Sequence, residues 1–117
     1  MIHWSSQSIF LHIQPIDFRK SLNGLIPIII KDIEHEVFND ACFIFCNKSR
    51  DKIKILYWDK TGFCLWYKRL EADKFKWPKT KSQHFMNITH EEFDWLLRGL
   101  DFSKIIPHKH IKSLSVY

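Results

Sequence analysis

The clearest alternation in the chain lies at Ser8 to Gln14, where Ile9, Leu11 and Ile13 interleave with Phe10 and His12. A period of two predicts a short strand, and Pro15 ends it. The period then lengthens. Phe18, Leu22, Leu25, Ile26, Ile29 and Ile33 fall on one face of a helix, with Asp17 placed as its N-cap. Pro27 stands inside that pattern. An interior proline removes an amide donor and crowds the preceding turn, at a cost of about 3 kcal/mol. The pattern therefore predicts a kink at Pro27, or a break near Gly24 followed by a restart. The β-branched run Ile28 to Ile30 weakens the helical reading further.

Asn39 and Asp40 suit a turn. Ala41 to Cys46 is apolar on both faces, as a central strand must be. Asn47 to Asp51 reads as a polar turn, Ile53 to Trp58 as the next strand, and Phe63 to Arg69 as its return. Asp59-Lys60-Thr61-Gly62 between them reads as a type I turn closed by a left-handed Gly62. Lys79 to Gln83 is a loop. Thr89 then opens a helix with complete signals: Thr89 and Glu92 form a capping box, Ile88 and Phe93 a hydrophobic staple. Phe93, Leu96, Leu97 and Leu100 make its buried face, and Gly99 stands where a left-handed C-terminal residue is wanted. The tail from Ser103 has no clear periodicity. These elements predict an α+β fold: an antiparallel sheet with a central β-meander (about 41–69) and helices packed on one side. The first strand has no assigned partner. A length of 117 residues predicts a single domain over 1–117.

Composition narrows the class. Apolar residues make up 45% of the chain and charged residues 26%, a globular balance. The apolar run Ala41 to Cys46 is far too short to span a bilayer, so no membrane partner is expected. No basic segment followed by an apolar one opens the chain, which argues against a signal peptide. Three cysteines without a C-x-x-C pair argue against a disulfide scaffold and for a cytoplasmic protein.

Metal and catalytic readings are weak. Cys42 and Cys46, four apart on a strand, would stand about 13 Å apart, too far to share one ion. His108 and His110 lack a partnered cluster nearby in sequence. Free cysteine usually behaves as a small buried hydrophobe, and no metal or other cofactor is expected. Asp17, Asp59, Glu71 and Asp73 are the carboxylates a metal-dependent nuclease could use. Capping explains Asp17 and turn geometry explains Asp59 without catalysis. With only three glycines there is no phosphate-binding loop, and no nucleophile sits in a diagnostic frame. The residues do not point to an enzyme.

Charge is more informative. The net charge is +5, but residues 1–47 carry −2 and residues 82–117 carry zero, so residues 48–81 hold +7. Seven aromatics lie in that same segment. Cations that track phosphates, interleaved with aromatics that stack on bases, are the signature of a nucleic-acid surface. The candidate contacts are Arg19, Lys20, Lys54, Lys68, Arg69, Lys74 and Lys76, with Trp58, Trp66 and Trp77 as stacking faces. The plainer alternatives are a solvated Lys-rich sheet and aromatics that mostly form core.

Several motifs together resemble a known family. Pro15-Ile16-Asp17-Phe18-Arg19-Lys20 followed by Gly24-Leu25 is similar to its "P-x-D-x-R-K…G-L" opening, and Phe43-Ile44-Phe45 with Asn47 to its "F-x-F-x-N" strand. The densest likeness runs from Lys54 to Pro78, through Lys54-Ile55-Leu56-Tyr57-Trp58-Asp59, Gly62 to Glu71 and Phe75-Lys76-Trp77-Pro78. Leu96-Leu97-x-Gly99 fits its final helix. The family is the small second-reading-frame protein of bacterial insertion sequences of the sixty-six type, often labelled TnpB and unrelated to the RNA-guided nuclease of that label. The resemblance implies an accessory role in DNA transposition beside a separate, large DDE-type transposase, with no strand transfer of its own. It implies no catalytic residues. The matching positions are Asp17, Arg19, Lys20, Lys54, Tyr57, Trp58, Asp59, Gly62, Tyr67, Lys68, Arg69 and Trp77. The chain departs from the pattern at Pro27, and at Val37 and Asp40, where the family has Pro and Gly.

Three functions follow as alternatives. The first is a DNA-binding accessory subunit. The second is a protein-interaction module that docks on the transposase through an aromatic hot spot. The third is a small metal-dependent nuclease using Asp17, Asp59 and Glu71. The oligomeric state is left open.

Overall fold

The computed structural model describes residues 8–32, 41–79 and 84–102. In chain order they form β1 (Ser8–His12), α1 (Leu22–Asp32), β2 (Ala41–Cys46), β3 (Lys52–Asp59), β4 (Gly62–Arg69), β5 (Phe85–Ile88) and α2 (His90–Leu97). The five strands make one sheet in the order β4-β3-β2-β1-β5. The turn expected at Asn39–Asp40, the loop beyond Lys79, Ile33, Val37, and the tail with His108 and His110 lie outside the described residues.

The α+β class and the meander are as the sequence predicts: β2, β3 and β4 pair antiparallel, from Cys42↔Tyr57 to Asp59↔Gly62. The sheet is mixed, however. β1 runs parallel to β2, with Ser8 opposite Ala41, and the chain between them crosses over through α1. β5, which sequence patterning missed, pairs antiparallel with the other side of β1.

The helices lie on opposite faces of the sheet, which corrects their expected placement on one side. Strand alternation explains why. Cys42, Ile44 and Cys46 point to one face with Ile9, Leu11, Ile53 and Ile55, where Phe93 and Leu96 of α2 cover them together with Phe75 and Trp77. Ala41, Phe43 and Phe45 point to the other with Leu56, where Leu25 and Ile29 of α1 cover them. All six residues of β2 are buried, so each face needs its own apolar layer. At about 1.5–3 kcal/mol for each large side chain fully removed from water, neither layer is dispensable.

Two helix boundaries differ in how well local signals foretold them. Around α2 the capping box forms: Thr89 Oγ1 accepts from Glu92 N at 3.0 Å, and Thr89 N donates to Glu92 Oε1 at 2.8 Å. Gly99 takes φ +83, Gly99 N donates to Leu96 O, and Leu100 N donates to Trp95 O, closing a Schellman end. Leu100 is exposed rather than part of the buried face. By contrast, α1 starts at Leu22, on the carbonyl of Ser21, and not at Asp17. Asp17 instead closes a separate turn, accepting from Arg19 N at 2.9 Å. Pro27 sits within α1 without ending it. Both Pro27 and Asn23, whose carbonyl loses its helical donor, are exposed, so water can serve that carbonyl.

Among the described residues no helix is long and apolar enough to cross a membrane. Cys42, Cys46 and Cys64 are free thiols. Burial pushes Cys42 up to about 12 and Cys46 up to about 11, the latter against the opposing pull of Arg50, so both behave as inert core.

Candidate nucleic-acid interface

One end of the sheet gathers most of the cations. It is the end where β1 and β2 finish, β3 begins and β4 finishes. The Asn47–Asp51 turn forms its centre. Asn47 is buried there; its Oδ1 accepts from Asp51 N and Lys52 N at 3.1 and 3.0 Å, and its Nδ2 donates to Asp51 Oδ1 at 2.7 Å. That hydrogen bond lowers the pKa of Asp51. Arg50 takes a left-handed φ of 63, which turns its guanidinium inward, 5.6 Å from the Trp77 ring.

Two further segments are tied to this turn. The first is the loop before α1: Ile16 N donates to Cys46 O at 2.9 Å, and Lys54 Nζ donates to Phe18 O at 2.8 Å and Lys20 O at 2.9 Å. The second is the chain after β4: Leu70 N donates to Asp51 O, Phe75 N to Arg50 O, both at 2.7 Å, and Lys74 Nζ to Ser49 O at 2.9 Å. These ties bring Arg19, Lys20, Lys48, Arg50, Lys52, Lys54, Lys68, Arg69, Lys74 and Lys76 to one end, against Asp17, Asp51, Glu71 and Asp73. An open recess lined by Asp51, Leu70, Glu71, Ala72, Asp73, Lys74 and Lys76 lies within it.

These cations are not equivalent. Arg19 is 91% exposed and grips the Asp17 carboxylate, which that hydrogen bonding holds down at about 2. Arg69 is likewise exposed and pairs with Glu71 at 2.8 Å, which raises its pKa. Lys20, Lys48 and Lys76 are exposed without an acid partner among the described residues. Lys54 is different: its ammonium is spent on two carbonyls and lies 4.7 Å over the Phe18 ring, and burial lowers its pKa. It holds the loop that displays Arg19 and Lys20. Lys48, Arg50 and Lys52, which are not among the contacts predicted from sequence, also belong to this end; their place in the +7 segment is the available signal.

None of the three tryptophans is exposed beside the cations. Trp77 is buried, with its Nε1 donating to His12 O at 2.9 Å, so it offers no stacking face. Trp66 is half-buried against the α2-side core. Trp58 is half-buried, edge-on to Phe63, near the opposite end of β3. The aromatic exposed beside the cations is Tyr67, 49% accessible and 6.3 Å from Phe18 on the α1 face.

Nor do the three nuclease carboxylates converge. Asp17 and Glu71 lie at the cationic end, while Asp59 lies at the β3–β4 hairpin, seven residues along β3 and so about 23 Å away. Among the described residues no three of His, Cys, Asp and Glu could hold one metal ion.

Comparison with known proteins agrees with the motifs. The family model described as IS66 Orf2 like protein matches residues 7–106. Two similar proteins come from Sinorhizobium fredii (strain NBRC 101917 / NGR234). The uncharacterized protein y4jC is 34% identical over 92 residues, 79% of this chain and 78% of that protein. The uncharacterized protein y4hO is 32% identical over 60 residues, 51% of each. No solved structure gives a significant match.

Proposed function

The chain belongs to the IS66 Orf2 like family, which associates it with insertion-sequence transposition, and we propose that it serves there as a cytoplasmic accessory subunit that binds DNA without performing strand transfer. The observation that carries this reading is the convergence of ten bases against four acids at one end of the sheet. Exposed Lys20, Lys48 and Lys76, with Arg19, Lys68, Arg69 and Lys74 around them, would contact phosphates. Tyr67 replaces the tryptophans as the stacking face. Lys54 acts through the loop it holds.

The test is a binding titration across a salt series, using the element's terminal repeat and a scrambled duplex. Affinity should fall by about 0.9 log units per log unit of salt for each phosphate contact. Replacing Lys68 and Arg69 with Ala should lower both affinity and that slope; an unchanged slope removes them from the interface.

A second reading is docking on the DDE-type transposase. What favours it is that Arg19 and Arg69 already pair with Asp17 and Glu71, which reduces the charge left for phosphate. Binding to DNA that sharpens only when the transposase is added would select this reading.

A further inference from the structure

We propose that the nucleic acid is held at this end as an unpaired strand, with one base stacked on the Tyr67 ring. This rests on the nucleic-acid reading above and goes beyond it by naming the form of the ligand.

Alternation along the strands decides which side chains surround that ring. Trp66 packs with the α2-side core, whereas Phe63 and Leu65 pack with the α1-side core. Tyr67 and Arg69 continue the second set and stand on the α1 face. In β3 the same rule puts Lys52 and Lys54 on that face, directly opposite Arg69 and Tyr67. Lys54 then ties in the loop before α1 through Phe18 O and Lys20 O, which sets Arg19 and Lys20 beside the ring. The Phe18 ring lies 6.3 Å from Tyr67 at 52°, so the two are tilted and not stacked.

Tyr67 is the one exposed Phe, Tyr or Trp among the described residues. An exposed aromatic alone is unremarkable; its setting is what points to a ligand. Asp17, Asp51 and Glu71 pair with Arg19, Lys52 and Arg69, while Lys20 and Lys54 form no ion pair among the described residues, which leaves the surroundings of the ring positive. Because Lys54 fixes the loop before any ligand arrives, less ordering remains to be done on binding.

A positive field around one flat apolar ring matches a ligand that is anionic and flat. In a duplex the faces of the bases are covered by their neighbours and only the edges reach the grooves. Tyr67 could meet a base face there only by prising a step apart. An unpaired strand presents phosphate and bare base face together, and aromatics raised from a sheet beside cations are the usual way to hold one. Duplex would be held at the same end by its phosphates alone.

The experiment titrates the full chain by fluorescence anisotropy, at one salt concentration, against three labelled probes of equal length. These are an oligothymidine strand, an abasic strand that keeps the phosphates, and a duplex. The oligothymidine should bind about tenfold more tightly than either of the others. Tyr67→Ala should remove that advantage while changing duplex binding less than twofold, and Tyr67→Phe should retain it. Duplex bound as tightly as the oligothymidine overturns the proposal and leaves the nucleic-acid reading standing; so does an abasic strand bound as tightly. A folded Tyr67→Ala that keeps the preference overturns it too. If Tyr67→Ala does not fold, the three probes on the parent chain decide. Binding to none of them overturns both readings.

Discussion

Asn47 sets the turn on which the cationic end is built. Its side-chain oxygen stands in for two backbone acceptors, and its amide nitrogen fixes the Asp51 carboxylate. Asn47→Ala would leave the Asp51 and Lys52 amides without those acceptors in a partly buried turn. The expected cost is about 2–3 kcal/mol, read as a lower urea midpoint with little change in slope. The opposite hairpin shows a residue-scale difference from the sequence reading. The left-handed position is Lys60, at φ 50, and not Gly62, whose conformation is ordinary and whose missing Cβ would meet open space. A two-residue hairpin needs a positive φ inside the loop, and Gly62 is already the first residue of β4. Gly24 matters for a different reason: a Cβ there would come within 3.0 Å of the Lys20 side chain, on the loop that Lys54 holds.

At the scale of elements, α2 was legible because its signals are local. A capping box, a staple and a left-handed glycine each need only a few neighbouring residues. Thr89→Ala removes the cap acceptor for Glu92 N and should lower stability by about 1 kcal/mol, seen as a reduced melting temperature with the fold retained. The start of α1 was not legible, because Asp17 satisfies an N-cap pattern equally well when it closes an isolated turn. Pro27 looked more disruptive than it is, since sequence does not reveal that the orphaned carbonyl faces solvent. The β2–β4 meander was readable from short turns between apolar runs. The β1–β2 pairing was not, because a parallel partner is chosen by a crossover and by packing on both faces. The same limit applies to the site. The excess of charge could be counted, but which aromatics are core depends on the second layer: Trp77 is enclosed beneath Arg50 and bonded to His12, while Tyr67 is left outside.

At the scale of the molecule, positive charge is gathered at one end of one sheet. The crossover brings the Asp17–Lys20 loop beside the Asn47–Asp51 turn, and the return of the chain after β4 adds Lys74 and Lys76. The far hairpin holds Asp59 and Lys60, which cancel. A purely diffuse attraction to DNA would respond to net charge wherever it is removed; a built interface would respond to position. Lys48→Ala with Lys76→Ala removes two exposed cations from the crowded end. Lys60→Ala with Lys31→Ala removes the same charge elsewhere, Lys31 being exposed near the end of α1. Filter binding on one duplex across a salt series should show the first pair reducing the log–log slope by about 2, one contact for each lysine, and the second pair leaving it nearly unchanged. Equal losses from both pairs would mean that the cations act only as a net charge, and that the clustering at one end serves another partner.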